Sequence, residues 1–193
     1  RWLLVIILIQ ITNVKSSFAQ AFGRNKVQYK TFEFKQLKTP HYTIYFYPAE
    51  STAVHLSACM LERWYSRYST MFGIELPKSQ PVIFYASQAE FQQTSVIPGL
   101  ISQATGGVTE GTMNRIVIPL TGITSENDHV IGHELVHAFQ FAEIQSFRSY
   151  FTNFRVPLWM IEGMAEYLSS GSHSTLTSMW MRDAVARNDV PTF

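Results

Sequence analysis

Two stretches near the front of the chain, "VQYKTFEFKQL" and "HYTIYFYP", alternate or run in β-branched and aromatic residues, with Thr39-Pro40 between them. That pattern predicts two paired strands. From Ser51 to Met71 the period changes. Val54, Ala58, Leu61, Trp64 or Tyr65, and Tyr68 recur at helical spacing, so a helix across the sheet is expected, with Trp64, Tyr65, Tyr68 and Phe72 as core aromatics. "PVIFYAS" reads as a third strand and Ser87 to Gln93 as a short helix before the break at Pro98-Gly99. "TGGVTEGTMNRIVIPL" holds two short strands around a Glu110-Gly111 turn, closed by Pro119. Beyond Ser125 helical periodicity takes over and predicts helices at about 126–142, 158–169 and 174–187. Strands first and helices after describe an α+β domain, with a small mixed or antiparallel sheet in its N-terminal half and a helical C-terminal half.

The first of those late helices carries candidate chemistry. Ser125 and Asp128 have the spacing of a capping box at its start. Within "ENDHVIGHELVHAFQFAE", His133 and His137 stand four residues apart. A helix turns roughly 100° per residue, so both imidazoles project from one face and can reach one ion. Neutral imidazole is a favoured zinc ligand. Glu134 sits beside the first histidine but off its line, which suits a general base acting on water next to a metal. The plainer reading, two histidines on an ordinary helix face, is decided against only by a third ligand. "PLWMIEGMAEYL" offers two, Glu162 and Glu166, four apart on one helix face. In a plain helix such carboxylates repel each other, and a nearby cation removes that penalty. His129, one turn before His133, extends the row; the helix N-terminus disfavours an imidazolium there, so it reads as a neutral rim residue rather than a fourth ligand.

His-Glu-x-x-His followed by Trp159-x-x-Glu162-Gly163-x-Ala165-Glu166-Tyr167 resembles the gluzincin metallopeptidases. The resemblance implies a zincin-like fold holding Zn2+ on His133, His137 and Glu162, with Glu134 as catalytic base. It also implies that Glu166 fixes one ligand histidine through its other ring nitrogen, as outer partners of zinc-bound imidazoles do. Exchange of the roles of Glu162 and Glu166 is the alternative within the motif. Gly163 is expected to let the two helices approach closely. The 24 residues between His137 and Glu162 exceed the gap in the best-known aminopeptidase members. The rival metzincin pattern needs glycine at 140 and histidine at 143, where this chain has Gln140 and Glu143.

Over residues 25 to 190 the chain is similar to peptidase MA-like domains of exported bacterial proteins. "FGRNKVQYKTFEF" with "TPHYTIYFYP" looks like versions that precede a TolB-like β-propeller, which implies a longer parent with a fused C-terminal propeller. The implied activity is hydrolysis of a peptide or protein substrate, held in extended form along the strand in "GGVTEGTMNRIVIP", for which plain sheet structure is an equal reading. A donor to the developing oxyanion is expected, and Tyr150, Tyr167 and His173 are candidates that no spacing separates. The competing reading is a non-catalytic zinc domain that scaffolds a propeller or exported partner. A retained Glu134 counts against it, since a structural site needs no base. A zinc carrier needs exposed, exchangeable ligand clusters, and the histidine-poor remainder offers none.

Composition narrows the classes. The 193 residues are 46% hydrophobic, 14% aromatic and only 15% charged, with a net charge of +1, so a globular domain is expected and no field steers nucleic acid. Arg1, the apolar run Trp2 to Ile9 and Ser17-Phe18-Ala19 have the order of a signal peptide over residues 1–19, cleaved before Gln20, leaving a zincin-like domain over 20–193. That run is shorter than the roughly 20 residues a membrane span needs. A periplasmic or extracellular location, without an integral span after cleavage, follows as the expectation. Cys59 is the only cysteine, which excludes an intramolecular disulfide; its helical context predicts a small buried hydrophobe. His41 and His55 read as ordinary structural residues.

Overall fold

A computed structural model describes residues 26, 28–76, 79–148 and 156–190. Residues 1–19, expected to form a signal peptide, and Tyr150 lie outside the described residues. Among those described are a five-stranded mixed sheet and five α-helices. The strands are β1 (Lys35–Lys38), β2 (Tyr42–Phe46), β3 (Gln80–Tyr85), β4 (Val108–Glu110) and β5 (Arg115–Pro119). The helices are α1 (Ser51–Phe72), α2 (Gln88–Phe91), α3 (Thr124–Arg148), α4 (Leu158–Ser170) and α5 (Thr175–Ala186). The α+β expectation holds at this level. None of the described helices is long and apolar enough to cross a membrane.

The sheet order is β1-β2-β3-β5-β4. β2, β3 and β5 run parallel at the centre, with Ile44 opposite Val82 and Val82 opposite Ile116. The outer strands β1 and β4 are antiparallel to their neighbours. β3 and β5 carry buried apolar residues on both faces, as strands covered on both sides do, whereas β2 alternates buried and half-buried positions. Tyr42, Ile44, Phe46, Val82, Phe84, Ile116 and Ile118 point to the face covered by α1 and α3, while Ile83, Tyr85 and Val117 join Phe32, Phe91 and Ile101 on the other. The first strand is shorter than its alternation predicted. Phe32 and Phe34 leave the ladder and stack on Tyr47, with ring centroids 5.4 and 4.8 Å away.

α1 buries the predicted stripe of Val54, Ala58, Leu61, Trp64, Tyr65 and Tyr68, and Phe72 packs against it partly buried. It ends at Gly73, whose φ of 69° is the left-handed conformation that closes helices. Cys59 corrects its expectation: it lies on the exposed side of α1, because the stripe turns through 58 and 61 and leaves 59 outside.

α3 is longer than predicted at both ends and runs through the core, with Ile131, Leu135, Val136, Ala138 and Phe139 buried. Asp128 does not cap it. Its carboxylate accepts from Arg63 and, at 2.8 Å, from the Trp64 indole N–H, so it ties α3 to α1 instead. Asn127, 7% exposed, takes over the entry to the helix by accepting from the Thr121 backbone N–H at 3.0 Å. The close approach expected at Gly163 falls elsewhere. Nothing outside its own helix comes within 4 Å of a Cβ built on Gly163, whereas one on Gly132 of α3 would meet the Trp64 ring at 2.8 Å and Ser169 of α4 at 3.3 Å. Gly132 is therefore where α1, α3 and α4 converge.

Candidate metal centre

The histidine row lies where α3 faces α4, and the two helices run antiparallel, so rising numbers on one meet falling numbers on the other. Gln140 meets Ile161, His137 and His133 meet Glu162, and His129 meets Glu166 and Ser170. Three ligand atoms form a triangle. His133 Nε2 and His137 Nε2 are 3.2 Å apart, and Glu162 Oε2 is 3.5 Å from each. Tetrahedral zinc with bonds of roughly 2.0–2.1 Å needs ligand atoms about 3.3–3.4 Å apart. The donor set and its spacing fit that ion.

Hydrogen bonds decide which nitrogen of His137 is free. Gln140 Nε2 donates to the Ile161 carbonyl at 3.0 Å, which turns its amide oxygen toward the histidine, and that oxygen accepts from His137 Nδ1 at 2.9 Å. The proton therefore sits on Nδ1, and in the neutral ring the Nε2 lone pair faces the triangle. Sequence reasoning weighed position 140 only as a missing glycine. The available signal was its place one turn beyond His137 on the same face. Glu166 Oε2 lies 3.6 Å from His133 Nδ1, on the ring edge opposite the triangle. Burial first, and then His137, push the His133 imidazole below its ordinary 6.5, against the upward pull of Glu162 and Glu166. A neutral ring near pH 7 is the form that binds metal.

Glu134 is 5% exposed and turns away from the triangle's line toward β4. The Thr109 hydroxyl lies 2.8 Å from its Oε2 and 2.8 Å from its backbone carbonyl oxygen. Burial pushes its carboxyl up to about 7, although the Thr109 hydrogen bond pulls the other way. A carboxyl so raised suits proton transfer near neutral pH. The glycines of "GGVTEG" explain how a strand can pass so near. A Cβ on Gly106 would lie 3.2 Å from Val130, one on Gly107 2.8 Å from Glu134 Cγ, and one on Gly111 3.2 Å from Phe141. The strand rides directly on α3, and side chains at those points would push it off.

Gly107, Thr109, His133, Glu134, His137 and Glu162 all line one open cleft of about 620 Å3. Leu158 and Phe141 supply apolar walls. Tyr167, 59% exposed, and His173 are not among the residues lining it. Neither is brought to the centre. The described residues contain two groups able to hold a metal ion, His133-His137-Glu162 and His129-His133-Glu166. His41 and His55 stand apart from both: the first pairs with Glu62 at 2.6 Å, the second with the Ser51 carbonyl at 2.6 Å. No protein-family model, curated protein or solved structure matches this chain.

Proposed function

We propose that this chain is a zinc-dependent metallopeptidase of the gluzincin type with a zincin-like fold, exported by its N-terminal signal. The observation that carries the reading is the triangle of His133, His137 and Glu162, with the buried Glu134 carboxyl in the same cleft. Two imidazoles and one carboxylate leave an open coordination position, which is the donor count of catalytic rather than structural zinc sites.

A zinc ion held there supplies Lewis acidity, polarising a peptide carbonyl and making a water nucleophilic near neutral pH. The chain's own residues do the rest. Glu134 accepts the proton of the attacking water at its carboxylate and returns it to the leaving amine nitrogen. Thr109 and the bare backbone of Gly107 hold that carboxylate in place. Gln140 keeps the proton of His137 on Nδ1, and Glu166 occupies the same position for His133. Among the described residues β4 lies at the sheet edge, paired only with β5, and its outer side offers main-chain hydrogen bonds to an extended substrate.

The test is metal content and hydrolysis of an unstructured protein by the wild type and Glu134→Gln. Both are expected to bind zinc, and the variant to lose on the order of 10²- to 10⁴-fold in activity. Zinc bound by both with no hydrolysis across a broad peptide panel would replace this reading with that of a scaffolding zinc domain. Zinc kept by Glu162→Ala but lost by Glu166→Ala would reverse the two carboxylate roles.

A further inference from the structure

The metal triangle uses one of two overlapping groups. His129, His133 and His137 stand one turn apart on α3, and Glu162 and Glu166 one turn apart on α4. One turn up from the triangle, His129 Nε2 lies 3.4 Å and His133 Nδ1 3.6 Å from Glu166 Oε2. The ligand atoms of these three residues all fall within 4.8 Å of one another.

Hydrogen-bond accounting shows what this upper group lacks. Ser170 Oγ donates its one hydrogen to Glu166 Oε1 at 2.9 Å. Toward His129 Nδ1, 3.0 Å away, it can then only accept. The neutral imidazole therefore carries its proton on Nδ1 and turns the Nε2 lone pair toward Glu166 Oε2. Two acceptors, one of them a carboxylate, face each other across 3.4 Å. A positive ion between them satisfies both.

We propose that His129, His133 and Glu166 form a second divalent-cation site, outside the first and sharing His133 with it through the opposite ring nitrogen. Two imidazoles and a carboxylate select zinc or a similar borderline metal over magnesium or calcium, which take oxygen ligands. The outer site binds more weakly. Its His129 and Glu166 side chains are 37% and 43% exposed, against 10% for His137, and His133 must release its Nδ1 proton to ligate there. His129 and Glu166 line the same cleft as the triangle, so a second ion there would bridge Glu166 and His133 Nδ1, replacing their direct contact. This site does not require that the chain be a peptidase.

Equilibrium dialysis of the metal-free full chain against zinc tests it. The wild type is expected to bind two ions in a tight and a weaker class. His129→Ala is expected to keep the tight class and lose the weaker, and His137→Ala to do the reverse. Glu166→Gln, nearly the same shape, is also expected to lose the weaker class, with a tight class that remains but is weakened because Glu166 also faces His133 Nδ1, and it covers the case in which His129→Ala misfolds. Saturation of the wild type at one zinc, or two ions on His129→Ala, overturns the outer site. A weaker class with no tight one sinks the triangle instead, so the two failures read differently.

Discussion

The hydroxyl of Thr109 stands 2.8 Å from both the carboxylate Oε2 and the backbone carbonyl oxygen of Glu134. A hydroxyl has one hydrogen, so it donates to the carboxylate when Glu134 is ionised. When Glu134 is protonated it can accept from the carboxyl and donate to the carbonyl. Either way the carboxyl stays in place through a proton transfer. Thr109→Val keeps the shape and removes the hydroxyl. A hydrogen bond to a charged group contributes about 1.5–3 kcal/mol, so kcat is expected to fall roughly 10- to 100-fold with KM little changed. The lost bond was pulling the Glu134 pKa down, so the acid limb of the pH profile moves to higher pH. Thr109→Ser should restore both. A Val variant as active as wild type would show that the contact is mere packing.

Gly107 and Gly163 make opposite predictions for the same substitution. A Cβ at 107 meets Glu134 Cγ at 2.8 Å and Oε1 at 3.0 Å, so Gly107→Ala must displace the base or the strand. Activity should be lost with zinc retained, and stability should fall by about 1–3 kcal/mol, the usual cost of overpacking. At 163, on an exposed part of α4, nothing outside the helix comes within 4 Å. Gly163→Ala should stabilise by about 0.5–1 kcal/mol through lower helix-forming entropy. Denaturant melts of the two variants decide whether the close approach lies at the strand or between the helices.

The contrast between these glycines shows what the sequence could reveal. His133, Glu134 and His137 were legible because all three sit on one helix, where fixed geometry turns spacing into position. Glu162 and Glu166 were legible as candidates from their spacing on one helix face, but the choice of Glu162 came only from resemblance, since nothing local brings 162 back to 137. The sheet's apolar runs were legible as strands, but not their order: the crossover that makes β2, β3 and β5 parallel and leaves β4 at the edge depends on long-range packing. Thr109 and Gly107 reach Glu134 only through that order, so no pattern pointed to them. Asp128 misled for the same reason, because Arg63 and Trp64 arrive from 65 and 64 residues away.

Away from the cleft, His41 and Glu62 give a stability test. Burial pushes the Glu62 carboxyl up, but hydrogen bonds from the His41 ring, Thr39 and the His41 backbone outweigh it and hold it below its ordinary 4.5. A carboxyl depressed on folding stabilises above its unfolded value, and that contribution is lost as pH falls through the folded one. The stability gap between wild type and Glu62→Gln is therefore expected to be constant at neutral pH and to shrink below about 4.5. Chemical denaturation from pH 7 to pH 3 measures it, and a gap that does not change with pH would mean the carboxylate charge plays no part.

Gln140 makes the sharpest claim on the metal, because it links ligand orientation to helix packing. Its amide joins His137 Nδ1 to the Ile161 carbonyl on the helix that brings Glu162, and it is only 7% exposed. Gln140→Met fills a similar volume but offers no acceptor to Nδ1, so His137 can rotate or exchange tautomer. Loss of such an outer partner typically lowers metal affinity about 10- to 100-fold. Gln140→Glu keeps an acceptor for Nδ1 but offers no donor to the Ile161 carbonyl, so it should hold zinc better than Met while losing more stability. Competition with a chelator gives the affinities, and thermal melts of the metal-free forms give the packing cost. If both variants bound zinc as tightly as wild type, the ring would have to be held by the burial of α3 alone, and the amide would be a helix tie with no influence on the metal.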